Sequence, residues 1–178
     1  MKAPFTIEPA TLESLTEILH IEETCFSAPW TRKMLEAELT GNRFAHFLVA
    51  KQTDMSGTDS TAVVGYLCYW IVFEEVRLMN LAVLSSVRRQ GLARTLVIRA
   101  LQTGVDQGAV RAVLEVRASN IAAQSLYQGL GFRRIATRPS YYTNPNEDAV
   151  LMELESIVVQ PQWLRSSESQ ADSRVRHA

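Results

Sequence analysis

The stretch Leu78-Met79-Asn80-Leu81-Ala82-Val83-Leu84-Ser85-Ser86-Val87-Arg88-Arg89-Gln90-Gly91-Leu92-Ala93-Arg94 decides how the chain reads. It predicts an apolar strand, a short turn and a helix opening on RRQGLAR. A helix start leaves several backbone N–H groups without intrahelical partners, and a glycine there lets an anion reach the main chain without meeting a side chain. Gly91 is the pivot of that cradle. The loop lacks the Gly-Lys-Ser/Thr ending of a nucleoside-triphosphate loop, and it holds a single glycine where the dinucleotide fingerprint needs three. Taken alone it is either an anion cradle or an ordinary turn.

The chain has 178 residues, 47% of them apolar and 21% charged, which fits one globular domain with a real core. Lys and Arg number 18 against 19 for Asp and Glu, a net charge of −1, so no global basic field points to nucleic acid as the main ligand. Cys25 and Cys68 form no CxxC and have no His companion at metal spacing, so they read as buried thiols and no metal is expected. The N-terminus MKAPFTIEPATLESL has no apolar signal core, and no window reaches the roughly 18 apolar residues of a membrane span. A cytoplasmic, reducing location without membrane contact is the expectation.

Around the opening stretch the periodicity predicts alternating elements. Phe5 to Glu8 starts a strand, and Thr11 caps a helix with Leu12, Leu15, Ile18, Leu19 and Phe26 at helical spacing. Thr31 to Leu39 is a second helix that Gly41-Asn42 should end as a left-handed cap. Phe44 to Lys51 and Ala62 to Phe73 read as a hairpin around a loop from Thr53 to Ser60, and Val76 to Leu84 as the next strand of an antiparallel meander. From Leu92, an amphipathic helix carries Leu96, Ala100 and Leu101 on one face and stops at Gly108. Arg111 to Arg117 is a strand, Ser119-Asn120 caps a helix from Ile121 to Leu130, and Gly131 closes it. Phe132 to Thr137 and Ala149 to Leu154 close the domain, separated by a loop holding Tyr141, Tyr142 and Asn144-Pro145-Asn146. The expected domain spans residues 1–155. Residues 156–178 read as a polar tail with Trp163 as its one anchor.

Three features bear on family. The RxxGxA turn fixed by Arg88, Gly91 and Ala93, the segment LEVRASN (114–120) and the segment SLYQGLGF (125–132) occur in one order along the chain. This set resembles the GCN5-related N-acetyltransferase (GNAT) family, whose loop pattern is Q/RxxGxG/A, and within it the ribosomal-protein-alanine N-acetyltransferases of the RimI type. The resemblance runs from about Phe5 to Leu154. It implies the acyl-CoA N-acyltransferase fold, an α/β architecture with a central, mostly antiparallel mixed sheet flanked by helices. It also implies acetyl-CoA as cosubstrate and a protein N-terminal α-amine as acceptor, the alanine of a small-subunit ribosomal protein in particular.

Strand alternation puts Val113, Glu115 and Arg117 on one face and Leu114 and Val116 on the other. Glu115 is then either the solvent-facing acid of a half-buried strand or a carboxylate held in a site, and it matches the family's general base. Tyr127 is either a packed ring or a phenol able to protonate a departing thiolate, and it matches the general acid. Leu81, Ala82 and Val83 match the strand whose backbone holds the acetyl and pantetheine portion. Arg88, Arg89, Gln90, Gly91, Leu92 and Ala93 match the pyrophosphate loop. Asn120 matches a cofactor-contacting position and also suits a helix cap. Arg88 stands where many members have Gln, and Ala93 where many have Gly.

The segment APWT (28–31) and the pair Tyr141-Tyr142 resemble the elements flanking the acceptor groove, although aromatics near proline also serve as hinge packing. Glu74 and Glu75 could attract a cationic N-terminus or solvate a turn, and the turn is the simpler reading. Neither cysteine lies in the matching motifs, so direct amine attack is expected. A small-amine acetyltransferase and a noncatalytic acyl-CoA-binding module are the rival functions. Binding alone needs neither Glu115 nor Tyr127.

Overall fold

The computed structural model describes residues 5–53 and 61–157. In chain order the elements are β1 (Phe5–Pro9), α1 (Leu15–Cys25), α2 (Arg32–Gly41), β2 (Ala45–Thr53), β3 (Thr61–Val72), β4 (Glu75–Val83), α3 (Leu92–Asp106), β5 (Arg111–Arg117), α4 (Ile121–Gln128), β6 (Arg133–Thr143) and β7 (Asn146–Leu154). The strands form one sheet in the order β1-β2-β3-β4-β5-β7-β6. Only β4 and β5 pair in parallel, joined by the crossover through α3; the other neighbours are antiparallel. This is the mixed, mostly antiparallel sheet that the motifs implied. Most of the expected loop between the first hairpin's strands, and nearly all of the expected tail with Trp163, lie outside the described residues.

Two apolar layers sandwich the sheet. On one face Leu15, Ile18 and Ile21 of α1 and Leu35 of α2 pack on Phe47, Val49, Tyr66 and Cys68. On the other, Leu96, Val97, Ala100 and Leu101 of α3 pack on Val76, Leu78 and Leu114, joined by Tyr127 and Phe132. The chain stays packed through Ile157, which is buried and donates its N–H to the Val110 carbonyl at 2.8 Å.

Several boundaries differ from the periodicity reading. Leu12 lies in a 3-10 turn ahead of α1 and is exposed. Gly41 remains helical and Asn42 is extended, with φ −98°, so no left-handed cap forms. The Asn42 side chain instead fastens the turn after the helix, donating to Glu38 Oε2 at 2.9 Å and accepting from the Phe44 N–H at 3.0 Å. α4 stops at Gln128, ahead of the expected Leu130. The largest difference is β6, which runs on to Thr143, so Tyr141 and Tyr142 stand on a strand. Pro139 is tolerated there because β6 is a sheet edge and its register shifts between Arg138 and Tyr142.

One irregularity positions the site. Cys68 pairs with Asn80 and Tyr69 with Leu78, so Met79 is an extra residue in β4, a β-bulge. The β4–β5 ladder ends at the same place, its last pair being Leu78 with Leu114. Beyond it, β4 keeps only β3 as partner and β5 keeps only β7. The two parallel strands therefore part and leave a gap in the middle of the sheet.

Gly104 seats α3 on the sheet: a Cβ there would overlap Cγ2 of Val76, a fully buried side chain that cannot yield. Overpacking costs roughly 1–3 kcal/mol, against about 1 kcal/mol that alanine gains in a helix. The net cost is roughly 1 kcal/mol, so Gly104→Ala should lower Tm by roughly 2–4 °C in a thermal melt. An unchanged or higher Tm would refute the close approach.

Candidate active site

Gly91 is the residue before α3 and has φ +83°, in the left-handed region that favours glycine. Arg89, two residues earlier, also has positive φ, at 60°. The first bond of α3 runs from the Thr95 N–H to the Gly91 carbonyl, so the amides of Leu92, Ala93 and Arg94 have no intrahelical acceptor. A Cβ built on Gly91 meets no protein atom within 4 Å, so the space before this turn is open. The turn presents free amides and a positive helix end toward that opening, which suits a pyrophosphate. Leu92 is buried and pins the helix start to the core. The Arg88 side chain turns away from the opening: its Nε donates to the Val83 carbonyl at 2.9 Å, and Nη2 lies 3.8 Å from Cys25 Sγ. Its role here is to fasten the turn to the end of β4.

The gap between β4 and β5 opens a cavity of about 940 Å³, whose walls include Asn80, Leu81, Glu115, Asn120, Tyr127 and Tyr142. Leu81 reaches the cavity, whereas Ala82 and Val83 are buried to either side of the sheet, one in each apolar layer. What these three residues offer toward the gap is their backbone edge, unpaired on the β5 side. An extended amide chain could pair there as a strand would. The cradle residues 88–93 do not wall the cavity itself; β4 leads from one to the other.

Glu115 and Tyr127 reach this cavity from different faces. Ala112, Leu114 and Val116 are buried in the α3 layer, so Glu115 projects to the α1–α2 face. Tyr127 belongs to the α3 layer and packs its ring against Phe132 with centroids 5.7 Å apart. The gap joins them. Glu115 pairs with Arg138, Nη1 to Oε1 at 2.6 Å. Burial pushes the Tyr127 phenol well above its ordinary pKa, so it is protonated at neutral pH. Asn120 caps α4, accepting from the Ala123 N–H at 3.1 Å, and also borders the cavity.

The expected acceptor-side aromatics gather here too. Trp30, Tyr141 and Tyr142 line the cavity, the two tyrosines edge to face at 5.1 Å. A hydrogen bond to Glu115 raises the Tyr141 pKa, and burial pushes Tyr142 up to about 12. Arg117 lies over the Tyr142 ring at 4.2 Å and holds the β6–β7 turn through the carbonyls of Asn144 and Pro145. Ser27 Oγ donates to the Asn144 carbonyl at 2.7 Å, so the α1–α2 segment and the β6–β7 turn meet over the cavity.

Sequence reading missed four of the site's polar residues: Glu22, Asn80, Arg117 and Arg138. Asn80 and Arg117 lay inside motifs already singled out, but their partners come from distant segments. Glu75 also differs from expectation. It is buried and paired with Arg77 at 2.6 Å and Arg111 at 2.9 Å, while Glu74 occupies the exposed turn. Among the described residues no group of acidic, His and Cys side chains could hold a metal, and no helix is long and apolar enough to cross a membrane.

Glu22 of α1 is fully buried, and loss of solvation pushes its carboxyl up to about 7 from 4.5, partly offset by the Trp30 N–H. A folded-state pKa above the unfolded one means the native state binds the proton more tightly. The stability this contributes is full below pH 4.5 and is lost as pH rises through 7. At 1.36 kcal/mol per pKa unit the loss is about 3 kcal/mol. Denaturant titrations across this range should show that decline in the wild type and not in Glu22→Gln; parallel profiles would refute it. At the cradle, Gly91→Ala and Gly91→Asp share the left-handed strain, roughly 1–2 kcal/mol, and differ in charge. Calorimetry should find acetyl-CoA binding at least about tenfold weaker for Asp than for Ala, and equal affinities would remove the anion assignment.

Residues 15–132 match the acetyltransferase (GNAT) family. The ribosomal protein bS18-alanine N-acetyltransferase of Escherichia coli K12 is 34% identical over 151 residues, covering 84% of this chain and 96% of that protein. The enzyme of the same name from Haemophilus ducreyi is 30% identical over 151 residues, covering 83% and 98%. The crystal structure of the E. coli ribosomal-protein-S18-alanine N-acetyltransferase superposes with a TM-score of 0.75 at 29% identity, over 89% of this chain and 97% of that one. The parted parallel strands and the open glycine turn thus occur in a chain related over most of its length to ribosomal-protein-alanine N-acetyltransferases, and the protein belongs to the acetyltransferase (GNAT) family.

Proposed function

We propose that this chain transfers acetyl from acetyl-CoA to the α-amine of a protein N-terminus, its acceptor being the N-terminal alanine of a small-subunit ribosomal protein. The observation that carries this reading is the meeting of Glu115 and Tyr127, from opposite faces of the sheet, at one gap. The relatives named for alanine N-acetylation support the acceptor.

The cosubstrate would lie with its pyrophosphate on the amides after Gly91 and its extended arm along the free edge of Leu81 to Val83, which brings its thioester into the gap. The acceptor would enter from the α1–α2 face, past Trp30, Tyr141 and Tyr142. Glu115 is paired with Arg138, which is half exposed and lies over the Tyr141 ring at 5.7 Å. A cationic N-terminus carries the same charge and can take that place as Arg138 swings to solvent. An α-amine of pKa roughly 7.7–8.0 costs only about 1–1.4 kcal/mol to deprotonate at pH 7, whereas a lysine side chain at about 10.4 costs roughly 4.6 kcal/mol. A carboxylate therefore suffices as base for an N-terminus, directly or through a water.

The amine nitrogen attacks the thioester carbon. The C–N bond forms, the C–S bond breaks, Glu115 takes the proton lost by nitrogen, and Tyr127 meets the departing sulfur. Because burial raises the Tyr127 pKa, its phenol stabilises the thiolate first as a hydrogen-bond donor and gives up the proton late.

General acid–base groups contribute roughly 10²–10⁴-fold, and losses in that range are expected in kcat for Glu115→Gln and Tyr127→Phe, with acetyl-CoA binding retained. Unchanged rates in both would remove these roles. Thiol release over peptides differing in their first residue should favour alanine. A preference for free amines assayed alongside would reject the peptide acceptor.

A further inference from the structure

Glu22 is not in the catalytic roles above, yet it sits beside them. Its carboxylate has no exposure to solvent and no ion partner among the described residues. Three donors converge on it: the Trp30 N–H on Oε2 at 2.7 Å, the Asn80 Nδ2 on Oε1 at 2.5 Å, and the Tyr66 hydroxyl, also on Oε1. These come from the segment after α1, from β4 directly after the bulge, and from β3. Trp30 and Asn80 both border the cavity.

A buried, unpaired carboxylate is a costly way to hold three segments together, since a neutral or apolar side chain would avoid most of its desolvation. What distinguishes a carboxylate is that, once ionised above its pKa of about 7, it only accepts. Asn80 must therefore turn its NH₂ toward Glu22. A planar amide that does so leaves its Oδ1 on the other branch; Asn80 borders the cavity, and no hydrogen bond to that oxygen is made among the described residues. The bulge at Met79 completes the arrangement. Leu78 and Leu81 pack in the α3 layer, so the extra residue between them is what places Asn80 on the α1 face.

We propose that Glu22 is a positioning residue for the acceptor: by fixing the polarity of the Asn80 amide it makes Asn80 Oδ1 an acceptor for an N–H of the incoming amine. With one N–H on Asn80 and another facing Glu115, the nitrogen lone pair is left to point into the gap. The proposal rests on the transferase reading above and adds Asn80 as a substrate-contacting residue.

A glutamine at 22 tests it. Its oxygen can keep the Trp30 N–H, while its NH₂ can donate to Tyr66 and to an Asn80 amide turned over, which removes Oδ1 from the cavity. For the preferred acceptor, peptide or free amine, Glu22→Gln should lower kcat/KM roughly 3–10-fold, the worth of one hydrogen bond between neutral groups. Asn80→Ala should do the same, and the double variant should be no worse than Asn80→Ala alone, because the two residues act through one contact. Acetyl-CoA affinity should stay close to wild type in Glu22→Gln, and its Tm should not fall below that of the wild type, whose ionised Glu22 is the costly form. Additive losses, a wild-type kcat/KM in either single variant, or an equal weakening of both substrates would overturn the positioning role. These comparisons are made against the wild type on the same acceptor. A wild type that prefers free amines rejects only the peptide reading, and a Glu22→Gln enzyme as active as wild type rejects only this one.

Discussion

The parting of β4 from β5 after Leu78 and Leu114 is the constraint on which the rest of the site depends. Parallel strands in a sheet interior normally stay paired, because each unpaired N–H and C=O buried there costs free energy. Here the ladder stops midway, at a bulge that adds Met79 to β4. The exposed backbone edge makes sense as half of a hydrogen-bonded pair whose other half is a ligand. Both apolar layers brace the opening: α3 is locked against Val76 through Gly104, and α1 and α2 close the opposite face.

The bulge also sets which residues look where. In a regular strand Asn80 would share a face with Leu78 and be driven against α3. The extra residue turns Asn80 toward α1, where Glu22 receives it. The same carboxylate holds the Trp30 backbone, so one buried group ties the cavity's floor on β4 to its rim after α1. On the far side Arg117 ties β5 to the β6–β7 turn, and Ser27 meets that turn at Asn144. The site is thus a ring of polar ties around a break in the sheet, each tie crossing between elements distant in the chain.

That distance explains what the sequence could and could not disclose. Period-2 runs, the helical spacing of α3 and the cap at Asn120 are local signals and were legible, as was the glycine that must adopt positive φ at 91. The bulge at Met79 was not, because a one-residue register shift depends on the pairing partner rather than on the strand's own composition. Glu22 lies in a run, His20-Ile21-Glu22-Glu23, that reads as the polar side of an amphipathic helix; only the fold reveals that one of the two acids is buried. Arg88 fits a basic anion loop by position, yet its guanidinium is occupied by the Val83 carbonyl, a contact that spacing does not encode. Pro139 falls between Thr137 and Ala149, where a loop was expected, and the edge location of β6 lets the strand continue past it.

The two-sided gap also bears on the route of transfer. A covalent acyl-enzyme would need a nucleophile with a base at the point where the faces meet. Cys68 is fully buried and its thiol is pushed far up by lost solvation, so its thiolate is not accessible. Cys25 does border the cavity, but among the described residues no histidine does, and its sulfur lies against the Val83 carbonyl and the Arg88 guanidinium at the end of β4. Access from opposite faces makes such an intermediate unnecessary. In the proposed transfer, a thioester along the edge of β4 and an amine from the α1–α2 side would meet without either leaving first, with Glu115 on the one face and Tyr127 on the other. Binding both substrates at once turns the encounter into an oriented, effectively unimolecular step, and that orientation is what the parted strands supply.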